Sequence, residues 1–462
     1  MAVSALAAPD VPAASEPVTP AEFRLLAAEA DLSPDQCCSL AIGVSGGTDS
    51  MALANLVAEW AGGGRASVTA LTVDHRLRHE SASEAATVSR WIRELGMQHE
   101  TLVWHHGNVT RGIQASARAA RFRLMGAWCM RAGVADLLLA HHLEDQAETF
   151  LMRLAAGSGI PGLGCMHVRT PMATVELVRP LLGIPKSRLR ATVVQSGGNF
   201  VEDPSNQDLR YTRTRLRRLL RHPASNLPKT ATLARATRTF RRLDALAERA
   251  TAARLRGSMH VSPLGFVTVD LGPFAALPEL LALRCIAAVV QAVAGRDYPP
   301  RTRSLWRVLE RIRNQELHTS TLGGAVLTVT AKRLAFTREA RAVSDPARLR
   351  SPKLLWDNRF QIETDFPADD LVVGALGTRD LRKLPVAPPG PGVRCDHLAT
   401  LPAFRDLDGL VAVPHLNWWR DDRLRTRIRV VFEPRSGLLA GVSSSPGNRN
   451  GTGRNTGCRG HA

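Results

Sequence analysis

Residues 43–50 read GVSGGTDS, set between a short apolar run, SLAIGV (39–44), and a helix-like stretch, MALANLVAEWA (51–61). Gly46 and Gly47 let the backbone turn with several N–H groups pointing inward, and such a nest at a helix N-terminus attracts phosphate oxygens. Ser45 and Ser50 add hydroxyl donors, and Asp49 is suited to hold a Mg²⁺ that bridges phosphates. The loop contains no lysine and lacks the Walker A spacing GxxxxGK[ST], so γ-phosphate transfer of the P-loop type is not indicated. The plainer alternative is an ordinary strand-to-helix turn in which Asp49 and Ser50 cap the helix. SGGxDS behind a buried strand is restrictive enough to favour phosphate.

Outward from this loop the same texture repeats. SLAIGV (39–44), VTALTVD (68–74), ETLVWH (100–105) and DLLLAH (136–141) read as buried parallel strands. Residues 49–61, 81–96, 114–132 and 143–156 read as the helices between and after them. The alternation predicts an α/β fold, a Rossmann-like doubly wound parallel sheet, over 36–222. Ligands of such sheets bind beyond the carboxyl ends of the strands, where Asp74, His75 and HHLEDQAET (141–149) also lie.

The chain has 462 residues and a formal net charge of +18, which points to a polyanionic partner, nucleic acid before membrane. Between Arg210 and Arg256 there are fourteen Arg and Lys against two acids, Asp244 and Glu248. With only two Tyr in the chain, an aromatic stacking platform is not expected, and a folded RNA read by shape and backbone fits better. Seven cysteines without a CxxC pair argue against a disulfide framework, a zinc ribbon or an iron–sulfur cluster and fit a reducing cytoplasm. No apolar run of about 18 residues predicts a membrane span. Residues 1–35 are expected to be a disordered leader and 441–462 a disordered tail, with a basic helical and mixed domain over 223–345 and a C-terminal portion over 346–440.

The acids of HHLEDQAET have a bland reading, stabilisation of a helix N-terminus worth under about 1 kcal/mol per charge. Two histidines before three acids at a strand end favour a metal-binding and cation-binding site instead. His141 and His142 as a zinc pair is the weaker reading, since adjacent strand side chains point apart. Arg118 and Arg121, i and i+3 on one helix, are by themselves two solvated arginines.

Five blocks carry a family resemblance. SGGTDS resembles the PP-loop of the N-type ATP pyrophosphatases. SARAARFRLM (116–125), HHLEDQAETFLMRLAAGSGIPGLGCM (141–166), LVRPLLGIPKSRLR (177–190) and EDPSNQDLRYTRTRLRRLL (202–220) are similar to elements of the tRNA(Ile)-lysidine synthetases. Phe122 stands where that family has Tyr, and Glu144 where it has Asp. LLWDNRFQI (354–362) and LPAFRDLDGLVAVPHL (401–416) are more faintly similar to its C-terminal parts.

The resemblance implies a ligase that adenylylates the carbon-2 oxygen of the wobble cytidine in a CAU-anticodon tRNA(Ile), after which the amine of free lysine displaces AMP. It implies ATP at Ser45, Gly46, Gly47, Thr48, Asp49 and Ser50, and Mg²⁺ at Asp49 and Asp145. Arg121 is assigned to the α-phosphate and Glu148 to the lysine ammonium, and these two with Asp49 and Asp145 are the expected catalytic set. Arg210, Arg213, Arg215, Arg217 and Arg218 are expected to contact tRNA; a homodimer stays open. A tRNA thiolase of the same fold is the alternative, but that chemistry uses reactive cysteines in CxxC. A decayed nucleic-acid-binding fold is opposed by the complete loop and acid cluster. An amidotransferase-linked synthetase leaves the arginine-rich middle unexplained.

Overall fold

The computed structural model describes residues 15–33, 39–62, 66–77, 80–107, 113–172, 175–201, 212–221, 227–296, 298–366, 368–385, 395–434 and 438–439. The chain divides into two compact units, 1–244 and 245–462. The first contains α1 (Pro20–Glu29), β1 (Ser39–Gly43), α2 (Thr48–Ala61), β2 (Ser67–Asp74), α3 (Ser81–Glu94), β3 (Gln98–Val103), α4 (Ile113–Ala132) and β4 (Asp136–Leu138). It continues through α5 (Leu143–Ala155), α6 (Ile160–Leu163), β5 (Arg169–Met172), β6 (Val175–Val178), α7 (Lys186–Gln195), α8 (Thr212–Arg221) and the start of α9 (Thr230–Arg254).

The sheet runs β3-β2-β1-β4-β6-β5, with only β5 antiparallel. Side chains of a strand alternate between its two faces, and here both faces are covered. Leu40 and Ile42 of β1 join a core with Met51, Leu53 and Val57 of α2, Ile92 of α3 and Leu189 of α7. Ala41 between them joins Leu71, Met125, Cys129 and Leu137 on the opposite face. This is the doubly wound sheet that the sequence predicts. The chain builds outward from β1 through β2 to β3, then returns to lay β4 on the other side of β1. The loops after β1 and β4, GVSGGTDS and HHLEDQ, therefore meet at the point where strand order reverses, which is where such sheets bind ligands.

Two boundaries differ from expectation. The presumed leader holds α1, with Phe23 and Ala27 buried in the α2–α7 core. The Thr19 hydroxyl caps it by accepting from the Glu22 N–H at 3.2 Å, and Glu22 in turn receives two hydrogen bonds from Arg188 at 2.8 and 2.6 Å. The first unit also extends past residue 222, because the start of α9 packs Leu233 and Phe240 against the cluster of Ala147, Phe150 and Leu163. The division falls inside α9. VAPPGPGV (386–393) and the tail after 440 lie outside the described residues.

The second unit holds β7 (Met259–Ser262), β8 (Phe266–Asp270), α10 (Leu271–Ala275), α11 (Glu279–Val293), α12 (Thr302–Arg313), β9 (Thr319–Leu322), β10 (Ala325–Val329) and β11 (Arg333–Arg338). Its antiparallel sheet β7-β8-β11-β10-β9 packs against α11, whose Ile286, Val289, Val290 and Val293 are buried. Two further antiparallel sheets follow, formed from strands between Ala347 and Phe432. Among the described residues no helix is long and apolar enough to cross a membrane.

Candidate functional site

The loop after β1 is shaped by Gly46. Its φ is +80°, and a Cβ there would lie 2.5 Å from Val88 Cγ2, so any side chain meets both backbone strain and a clash. Gly47 is the N-cap of α2 and provides no side-chain acceptor. The expected alternative, a capping role for Asp49 and Ser50, is not what their side chains do. Ser50 Oγ donates to Gly47 O at 2.9 Å and accepts from Ser45 N at 3.2 Å, which fixes the loop. No side chain caps the N-terminus of α2, which follows directly on β1, and an uncapped helix start of this kind suits an anion.

Asp49 points toward the loop after β4. Its Oδ2 accepts from Lys186 Nζ at 2.7 Å and lies 3.5 Å from His142 Nε2. His142 Nδ1 lies 3.0 Å from Glu144 Oε2, its Nε2 lies 3.6 Å from Asp145 Oδ2, and its backbone N–H donates to that same Asp145 oxygen at 3.1 Å. Lys186 completes the ring through its backbone N–H, which donates to Glu144 Oε2 at 2.9 Å. Burial alone would hold His142 neutral, but hydrogen bonds to Asp49 and Glu144 and the charge of Asp145 outweigh it and push the imidazole up to about 10. Burial likewise opposes the charge on Asp49, yet His142 and Lys186 bring its carboxyl down to about 2. Three carboxylates thus surround an imidazolium and an ammonium.

Asp49 Oδ1 is buried without a hydrogen-bond partner, and the Asp49 and Asp145 carboxylates converge on one atom, His142 Nε2. Hard oxygen donors of this kind fit Mg²⁺. Among the described residues no group of three or more His, Cys, Asp or Glu is arranged to hold a metal. Two carboxylates with the remaining positions left to phosphate and water is the usual magnesium pattern.

The ring has a pH signature. His142 is raised from 6.5 to about 10, so its contribution to stability is complete below the unfolded value and is lost as pH climbs through about 10. Asp49 is lowered from 3.8 to about 2, so its contribution is complete above 3.8 and is lost as pH falls through about 2. Thermal unfolding followed from pH 4 to 10 is expected to show a falling melting temperature above about pH 6.5. His142→Asn should flatten that alkaline slope, and an unchanged slope in the variant would refute the assignment.

A second, cationic group lies beside the ring. Arg121 of α4 has its Nε buried without a hydrogen-bond partner, and burial together with Arg118 and Arg213 pulls its guanidinium down to about 10. Phe122 supports both arginines, with the Arg118 and Arg121 guanidinium carbons 5.0 and 5.4 Å from its ring centroid. His141 Nδ1 is also buried and unpartnered, and burial pushes that imidazole down to about 3. His75 at the end of β2 is lowered by burial and by Arg121. Asp74 is occupied locally, accepting from Ser81 Oγ at 2.7 Å and Arg76 N at 2.9 Å. Like charges held this close favour an anion between them.

Glu148, one helical turn beyond Asp145, is 1% exposed. It accepts from Arg217 Nε at 2.7 Å and Nη2 at 3.2 Å, a two-point pair. Arg217, expected on an RNA-facing surface, is therefore turned into the site. Arg215 and Arg218 are exposed, Arg213 is half-buried, and Arg210 lies outside the described residues. The structure brings Asp49, Asp145, Glu148 and the loop together, and adds Lys186 and His142. The sequence signal for Lys186 lies in LVRPLLGIPKSRLR, a block matched as a whole without a role for its lysine.

Comparisons with known proteins show the family. A PP-loop domain model matches residues 21–223. The chain is similar to a tRNA(Ile)-lysidine synthase of Ruegeria pomeroyi, 37% identical over 75% of this chain and 81% of that protein. A tRNA(Ile)-lysidine synthase of Methylobacterium nodulans is 40% identical over 67% of this chain and 92% of its own length. Another, of Wolbachia pipientis, is 34% identical over 70% of this chain and 76% of that protein. Among solved structures, a U34-tRNA thiolase, NcsA of Methanococcus maripaludis with its [4Fe-4S] cluster, superposes at a TM-score of 0.42 with 18% identity. That match covers 48% of this chain and 76% of the thiolase, and a likeness at that level carries no functional argument.

Proposed function

The chain belongs to the tRNA(Ile)-lysidine synthase family, and on that premise we propose a role for each residue of its site in an ATP-dependent ligation of lysine to tRNA(Ile). The observation that carries the proposal is the meeting of the SGGTDS loop with Asp49, Asp145 and Lys186 at the reversal of strand order. The α2 N-terminus and Ser45 to Ser50 receive the phosphates of ATP. Asp49 and Asp145 would hold Mg²⁺, which would offset phosphate charge.

The carbon-2 oxygen of the wobble cytidine attacks the α-phosphorus. The bond from that phosphorus to the β-bridging oxygen breaks, and pyrophosphate leaves. Arg121, already desolvated and with its buried Nε unpartnered among the described residues, stabilises the charge gathering on the α-phosphate. The free lysine is oriented by one ammonium group at Glu148. Its other amino group, once deprotonated, attacks carbon 2, the bond from carbon 2 to the adenylyl oxygen breaks, AMP leaves, and the proton released from the new C–N bond passes to solvent. A tRNA acceptor fits a reaction in the cytoplasm.

A thiolase reading is not favoured. Burial pushes the thiols of Cys129, Cys165 and Cys285 up to about 12, 11 and 12, which leaves none of them a thiolate near neutral pH. The deciding assay incubates the protein with ATP, Mg²⁺, labelled lysine and CAU-anticodon tRNA(Ile). Label entering the tRNA is expected; label staying in free lysine while AMP forms would sink the proposal.

Arg213, Arg215 and Arg218 on α8 are assigned to tRNA phosphates, joined by Arg235, Arg238 and Arg242 on one exposed face of α9. Replacing Arg213, Arg215 and Arg218 together with Glu should weaken tRNA binding at low salt and lower the slope of log affinity against log salt by about two to three. An unchanged slope would move the docking surface elsewhere.

A further inference from the structure

Glu148 is more than nine-tenths buried and needs a cation, because an unpaired carboxylate in that position is strongly disfavoured. The cation it has is Arg217, held at two points, and among the described residues this is the ion pair that α8 makes. Arg217 also feels Asp145 and Asp49, so its guanidinium lies within the same acid-rich space as the ring around His142 and Lys186. The rest of α8 is an awkward tenant. Its sequence, TRTRLRRLLR, carries no acid, Leu219 is largely exposed, and Arg213 is close enough to Arg121 to depress it. The helix is held down by Leu220 and by the Glu148 pair, while Arg215 and Arg218 face solvent, ready for phosphate.

We infer that Arg217 stands in for the incoming lysine ammonium, occupying the Glu148 carboxylate until RNA on α8 draws it outward, so that lysine and tRNA bind cooperatively. This rests on the ligase reading above. The exchange is one cation for another, and Glu148 is never left uncompensated. Removal of Arg217 toward an RNA phosphate replaces one charge-assisted pair with another of the same kind. The outcome is a lysine site that opens when the acceptor has arrived.

The test is equilibrium dialysis of labelled lysine against the full-length protein, with and without unmodified CAU-anticodon tRNA(Ile). In the wild type tRNA should raise lysine affinity about tenfold, and lysine should raise tRNA affinity by the same factor, since coupling is reciprocal. Arg217→Ala should bind lysine tightly without tRNA and gain less than about twofold from adding it. Glu148→Gln should lose lysine binding in both conditions. Lysine that binds the wild type equally with and without tRNA, and is ligated, overturns this inference and leaves the ligase reading standing. Lysine that binds in no condition and enters no tRNA overturns both. The wild-type measurement decides the matter even if Arg217→Ala does not fold.

Discussion

Asp49→Ala is expected to reduce tRNA-dependent release of pyrophosphate by at least about a thousandfold, a loss of the size seen when a group that meets developing charge is removed. The side chain acts twice. It carries a buried oxygen with no hydrogen-bond partner among the described residues, and it anchors Lys186 and His142, both cationic, at 2.7 and 3.5 Å. Without it, the Lys186 ammonium loses the carboxylate it donates to, and His142 keeps Glu144 and Asp145 but loses part of what holds its proton. The phosphate site then becomes a site with misplaced cations. Single-turnover formation of pyrophosphate, read beside far-UV circular dichroism, checks the expectation. A folded variant within about tenfold of wild type would remove Asp49 from the mechanism.

Arg121→Met should separate activity from stability. Transfer to the α-phosphate is expected to fall by about a hundred- to a thousandfold, since Arg121 is the desolvated cation beside the ring. The melting temperature, however, should hold or rise. Arg121 has a buried Nε with no partner and feels Arg118 and Arg213, so a side chain of similar length without charge relieves repulsion and an unsatisfied donor. A group that costs stability where it stands is the kind retained for a reaction. Melting and rate measured on one preparation test both signs. A variant that loses stability with its activity would make Arg121 a structural residue.

The strand ends were legible because parallel strands buried on both faces write continuous apolar runs. β1 to β4 and α2 to α5 fall within a few residues of the expected spans. The two loops could be named from their residue types, and the strand alternation was enough to bring them to one edge. What the sequence hid was of another kind. α1 lay under an Ala- and Pro-rich composition, although Thr19 and Glu22 at Ncap and N3 have capping-box spacing. Lys186 arrives from 137 residues away, and no local pattern links it to Asp49. Arg217 sits in a run of arginines that all look alike as letters. Only the facing of α8 on α5 decides that this one turns inward.

The pairing of β1 with β4 carries a consequence for the birth of the molecule. Ala41 aligns with Leu137, and Asp49 meets Lys186 later still along the chain. Closing such distant parallel pairs is slow, because the intervening chain must give up its freedom before any contact rewards it. A chain leaving the ribosome therefore carries the GVSGGTDS loop well before it carries α5 or Lys186. Until the sheet closes, the loop has no acids across from it and no lysine beside it. The site is complete in a chain that has made both the loop and the segment from α5 to Lys186.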